Sequence, residues 1–167
     1  MVTPPSSPQS QPQPQPVDPD AEVTEAERTA RRPLHLQPRL ILWVASGGVL
    51  GAAARIGVIH LSPAPAGFPL ATFVVNVVGA FVLGLLLQGL SDAGPDEGRR
   101  RLVRLWTGTG FCGAFTTYSS FAVDTDELLR TGRLGLALAY AAATLVLGAV
   151  ATLAGVAAAG LRQGRSL

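Results

Sequence analysis

The stretch Trp106-Thr-Gly-Thr-Gly-Phe-Cys-Gly-Ala-Phe-Thr-Thr-Tyr-Ser-Ser-Phe121 sits inside a run, Leu102 to Val123, that contains no Asp or Glu. A run of that length and polarity is long enough to cross a bilayer as a helix. Yet three Gly and six Ser or Thr crowd its centre, between Trp106 and Phe121. Those residues weaken a helix and offer side-chain alternatives to its backbone hydrogen bonds. Two readings follow. Either the segment breaks at membrane depth, which survives only where the loosened backbone lines a cavity or holds an ion, or it is a closely packed helix whose small residues form an interface.

Working outward, Leu40 to Leu90 and Leu134 to Leu161 also lack Asp and Glu, and Arg55 and Arg104 are the basic residues of the three runs. The whole chain is 48% hydrophobic and only 14% charged, against roughly a quarter charged in an average soluble domain. The sequence therefore predicts an all-α membrane protein with four spans, at about 40–61, 70–90, 102–123 and 134–161. Trp43 and Trp106 stand near the starts of spans one and three, on one membrane face, as an interfacial aromatic belt.

Three regions follow. Residues 1–38 form a Pro/Gln-rich, then mixed-charge, tail with almost nothing apolar to bury, expected to be disordered. The tail lacks a basic start followed by an apolar run and reads as a cytoplasmic extension. Residues 39–162 carry the spans, and 163–167 a short C-terminal tail. All basic residues are Arg, and Arg28, Arg31, Arg32, Arg39, Arg99, Arg100, Arg101, Arg104, Arg162 and Arg165 outnumber Arg130 and Arg133 on the opposite flank. The positive-inside rule places both termini in the cytoplasm of a multi-pass cell-membrane protein. Basic clusters flanking spans fit topology better than a nucleic-acid surface, which needs a continuous basic face.

The polar residues within the spans are candidates for function. Asn76 shares a helix face with Thr72 and Gly79, and serves either as interhelical glue or as a contact for a permeating species. Arg55 either snorkels to the interface or holds a positive charge in an anion vestibule. Tyr140, Thr144, Gly148 and Thr152 make a stripe on span four, a packing seam or a ladder of hydroxyl donors. Cys112 reads as a small apolar filler, and His35 and His60 as interfacial or solvated. A single Cys excludes an internal disulfide or multi-Cys metal site. No nucleophile has an evident base, so an enzyme is not expected.

Three motifs resemble the CrcB/Fluc fluoride channels: Gly47-Gly-Val-Leu-Gly-Ala-Ala-Ala-Arg55, Thr72-Phe-Val-Val-Asn-Val-Val-Gly79 and, most specific, Gly110-Phe-Cys-Gly-Ala-Phe-Thr-Thr-Tyr-Ser-Ser-Phe121. The resemblance covers about Leu40 to Gly160. It implies an antiparallel, dual-topology dimer with two pores and a third helix broken at mid-membrane. It further implies a structural, non-transported Na⁺ at the dimer centre, held by backbone carbonyls of Gly113 and Thr116. Asn76 would line the fluoride pathway, Tyr118 and Phe121 would present ring edges to it, and Arg55 would stand in the vestibule. Tyr140 and Thr144 would continue the polar track. Donors for fluoride are the Asn76 amide and the hydroxyls of Thr116, Thr117, Ser119, Ser120 and Thr144. Tyr118 replaces a typical Phe and Gly148 a frequent Ser, and the Arg bias raises pairing with a paralogous subunit as the alternative to a homodimer. The expected function is passive export of cytoplasmic fluoride. The alternatives are a small multidrug-type antiporter, which wants a membrane carboxylate that these spans lack, and a non-transporting membrane subunit.

Overall fold

The computed structural model describes residues 36–62 and 67–163. Within those residues the chain is all helix, and three of its helices are long and apolar enough to cross a membrane. Helix α1 (Pro38–Leu61) opens with proline in its first turn, where the missing N–H costs nothing. Helix α2 (Leu70–Asp92) and helix α6 (Leu134–Gln163) are the other two. The tail to residue 35, His35 included, residues 63–66 and 164–167, and the side chain of Arg162 lie outside the described residues, and with them the expectations for those positions.

The third apolar run is not one helix. It comprises α3 (Gly98–Val103), a π-helical segment (Arg104–Cys112), α4 (Gly113–Phe115) and, after an interruption, α5 (Tyr118–Arg130). Wider winding is visible at its end, where the Gly113 N–H reaches the carbonyl of Gly108 as well as those of Gly110 and Phe111. Low helix propensity at Gly108, Gly110 and Gly113 reduces the penalty for leaving α geometry. Helix α5 closes with Gly132 at φ 71°, the Gly132 N–H on Leu129 O (3.0 Å) and the Arg133 N–H on Leu128 O (2.9 Å). This is a Schellman cap, and its left-handed residue favours glycine.

Two close crossings assemble the bundle. Helix α1 lies against the π segment, where a Cβ at Gly47 would collide with the Trp106 carbonyl and one at Gly51 with the Phe111 carbonyl. Helix α2 lies against α6, with Gly84 against the Thr152 carbonyl and Gly155 against Phe81. Backbones this near gain dispersion contacts that larger side chains would prevent, the form of packing expected where lipid supplies no hydrophobic drive. The buried set is accordingly small and led by Tyr140, Val75 and Cys112, while Leu42, Val49, Leu145 and Leu153 face outward.

The two indoles expected at one membrane face are neighbours, with ring centroids 6.5 Å apart. Trp43 Nε1 donates to Leu102 O (2.8 Å) and Trp106 Nε1 to Ser46 Oγ (3.0 Å). Beside them Arg104 grips Asp96 through two hydrogen bonds, 3.0 and 2.8 Å, fastening the α2–α3 loop to the start of the π segment.

Candidate functional site: a broken helix clamped by Asn76

The interruption falls at Thr116 (φ −73°, ψ 156°) and Thr117 (φ −148°, ψ 116°), both extended. In an unbroken helix the Thr117 N–H would bond the Gly113 carbonyl and the Ser120 N–H the Thr116 carbonyl. Neither does. Thr117 N–H donates to Asn76 Oδ1 at 2.8 Å, and Ser120 N–H donates to Thr117 Oγ1 at 3.1 Å, an N-cap for α5. Asn76 Nδ2 returns a bond to Thr117 O at 3.1 Å. One amide side chain thus satisfies both polar groups of an extended residue, as a neighbouring strand would. Thr117 is buried, and a buried backbone group needs such partners. Gly79, one turn along α2, leaves room for the Thr116 methyl against the same break.

Around this clamp lies a cavity of about 340 Å³ between α2, the break, α5 and α6. Asn76, Thr116, Thr117, Tyr118, Phe121 and Thr144 all line it, so six of the sequence-derived candidates converge on one space. Tyr118 is the most open of them, 82% exposed, its ring 6.1 Å from that of Phe121 and tilted by 41°. Several donors are already engaged. Thr144 Oγ1 donates to Tyr140 O (2.8 Å) and Thr116 Oγ1 to Cys112 O (2.9 Å), each four residues back. Thr117 Oγ1 donates to Ser120 Oγ (3.0 Å) and lies 3.2 Å from Ser119 Oγ. The second N–H of the Asn76 amide remains for another acceptor.

The other candidates stand elsewhere. Tyr140 is fully buried in a core with Leu128, Ala137, Phe68, Phe73 and Phe121 rather than on the cavity. Its hydroxyl makes a long, 3.4 Å contact to Asp124 Oδ2, with Thr72 also hydrogen-bonded to it. Ser120 lines a separate space with Thr72 and Asp124. Ser119 is exposed, and Arg55 is half-buried near the end of α1. Gly113 is exposed and Thr116 half-buried at the break. Asp124 was missed: its place three residues after Phe121 puts it on the same face of α5, the one signal that pointed inward.

The fold and site define a helical membrane protein whose third apolar segment is opened by design, the opening held by one amide and bordered by hydroxyls and aromatic rings. The family model described as CrcB-like protein, Camphor Resistance (CrcB), matches residues 42–156, and the chain belongs to that family. It is 53% identical over 142 residues to the fluoride-specific ion channel FluC 2 of Leifsonia xyli subsp. xyli, covering 83% of this chain and 98% of the relative. The fluoride-specific ion channel FluC of Deinococcus radiodurans is 47% identical over 121 residues, 70% of this chain and 91% of the relative. That of Ignicoccus hospitalis is 42% identical over 117 residues, 70% and 92%.

Proposed function

We propose that this protein is a fluoride-selective channel subunit, an ion conductor and not an enzyme, through which cytoplasmic fluoride leaves passively. The observation that carries the reading is the Asn76 clamp on Thr117 at the rim of a hydroxyl- and aromatic-lined cavity. The names of the relatives agree with it.

Fluoride is small, strongly hydrated and a strong acceptor, so a pathway must replace its water with donors. The free N–H of Asn76 is one. The Thr144 and Thr116 hydroxyls can rotate from their helix carbonyls toward an anion, exchanging a neutral bond of about 1 kcal/mol for a charged one of about 1.5–3 kcal/mol. Tyr118 and Phe121 offer positive ring edges. Arg55 draws anions toward the entrance, and a larger anion, with its charge spread over more surface, gains less from each of these donors.

A structural Na⁺ fits the residues present. Diverting the Thr117 and Ser120 N–H groups releases the Gly113 and Thr116 carbonyls from their helical partners. Hard cations take such oxygens, and because Gly113 is exposed a second subunit would be free to complete the set in this reading. When bound, the ion supplies a fixed positive charge that ties two broken helices together. The assembly in this reading is an antiparallel dual-topology dimer with two pores, formed with itself or with a paralogous subunit. Each subunit has four spans, the third broken, in the cell membrane. Asp124 stands just past the third span and faces Tyr140 rather than the central cavity, which disfavours an antiporter built on a central carboxylate.

The test is fluoride efflux from liposomes carrying the purified protein, read with a fluoride electrode, with Na⁺ present and then replaced. Rapid, chloride-excluding efflux that disappears without Na⁺ supports both channel and ion. A well-folded but inert protein rejects the self-sufficient homodimer. Co-expression with a homologous subunit then separates an obligate heterodimer from a wrong assignment.

A further inference from the structure

Arg39, Arg99, Arg100, Arg101 and Arg104 stand at the end of the bundle where α1 and α3 begin, the end marked by Trp43 and Trp106. Three of them are engaged by the protein itself. Arg104 holds the Asp96 carboxylate through both of its oxygens. Arg100 donates from Nη1 to Ala93 O (2.7 Å) and from Nε to Pro95 O (2.9 Å), and Arg101 from Nε to Asp96 O (2.9 Å). Arg39 and Arg99 differ. Both are exposed, and neither has a hydrogen-bond or ion-pair partner among the described residues. The acids nearby do not neutralise them: Asp96 is taken by Arg104, Asp92 accepts from Gln88 (2.7 Å), and the exposed Glu97 pairs with neither guanidinium.

The backbone brings these two free guanidiniums to one seam. Trp43 Nε1 donates to Leu102 O (2.8 Å), tying α1 to α3. Arg39 lies one turn before Trp43 on the same face of α1, and Arg99 one turn before Leu102. The two segments run the same way from this end, since Gly47 meets Trp106 and Gly51 meets Phe111. Both arginines therefore sit just outside the level of Trp43, whose ring is half-exposed. Indole rings settle at the height of lipid headgroups, which sets the two charges among phosphates. A guanidinium matches a phosphate with a planar, bidentate fork. We propose that Arg39 and Arg99, with the Trp43 ring beneath them, form a docking site for the headgroup of an anionic phospholipid. The site is separate from the fluoride reading and requires only that the spans lie in a bilayer.

Native mass spectrometry of the purified protein, titrated with dioleoylphosphatidylglycerol or dioleoylphosphatidylcholine, tests this. Wild type should retain the anionic lipid more tightly than the zwitterionic one. An arginine at an anionic surface contributes about fivefold in affinity, so Arg99→Gln should weaken phosphatidylglycerol retention about fivefold and Arg39→Gln/Arg99→Gln about 30-fold. Phosphatidylcholine retention should not change. Arg130→Gln, which removes a charge from the far end of α5, should behave as wild type. Melting in detergent without added lipid checks folding. Should the double variant melt early, Arg39→Lys/Arg99→Lys takes its place, keeping the charge, losing the fork and binding less tightly than wild type. Equal retention of the two lipids by wild type overturns the proposal. So do unchanged phosphatidylglycerol retention in the double variant that is used and an equal loss in Arg130→Gln, which marks a general effect of charge.

Discussion

Replacing Asn76 by Leu removes both ends of the clamp while keeping a side chain of similar bulk. Two hydrogen bonds disappear, Thr117 N–H to Oδ1 (2.8 Å) and Nδ2 to Thr117 O (3.1 Å). Orphaning a buried backbone group costs about 1–3 kcal/mol, and hydrogen bonds within membrane helices average nearer 0.6 kcal/mol. Because the break borders a cavity that admits water, the lower part of the first range applies, about 2 kcal/mol for the pair. That corresponds to roughly a 30-fold rise in the open population at the break. Amide exchange at Thr117 should accelerate by about that factor in Asn76→Leu, while exchange along α1 stays as in wild type, and fluoride efflux should fall below a tenth of the wild-type rate. The protein should still insert and remain folded, since the α1 and α6 crossings do not involve Asn76. Asn76→Asp sharpens the test: it keeps an acceptor for the Thr117 N–H but loses the donor and adds a negative charge, so efflux should fall further than the exchange rate rises. Unchanged Thr117 exchange together with unchanged efflux in Asn76→Leu would refute the reasoning.

Three further outcomes are expected. Gly51→Ala drives a methyl into the Phe111 carbonyl, and overpacking of this kind costs about 1–3 kcal/mol; a lower melting temperature in detergent checks it, with Gly57→Ala, whose Cβ meets nothing within 4 Å, as the control. Gly132→Ala forces an alanine to φ 71° and should destabilise by about 1–2 kcal/mol, read as early loss of α5 structure on heating. The Arg104 hydrogen bonds, with its charge and that of Arg101, hold the Asp96 carboxyl below its usual range. The folded value being depressed, the pair's contribution is complete above the ordinary carboxylate range near 3.8 and fades as pH falls through the lowered value. An acid titration of the loop by NMR should show Asp96 titrating late in wild type and closer to the ordinary carboxylate range in Arg104→Ala, where only the Arg101 charge is left to lower it.

Long apolar runs free of acid, bounded by Arg and Trp, determined by themselves that the chain is a helical membrane protein, because no soluble helix needs such a stretch. The glycine- and hydroxyl-rich run from Thr107 to Ser120 also announced weakness in the third segment. Propensity does not say where that weakness resolves, being low throughout the run with nothing local that prefers Thr116–Thr117 to Gly108–Gly110; it was the motif resemblance that implied a break beside Gly113 and Thr116. The choice belongs to Asn76, 41 residues earlier, whose amide competes for the Thr117 backbone only once α2 lies against the segment. The same holds for the stripe on α6. Four-residue spacing placed Tyr140, Thr144, Gly148 and Thr152 on one face, but a helix face covers a wide arc, and packing of α2 and α5 divided it. Tyr140 went into a core of aromatic rings and Thr144, Gly148 and Thr152 onto a cavity. Local sequence sets which residues can leave a helix or face a pore; which of them do is settled by the partner that the tertiary structure brings within hydrogen-bonding reach.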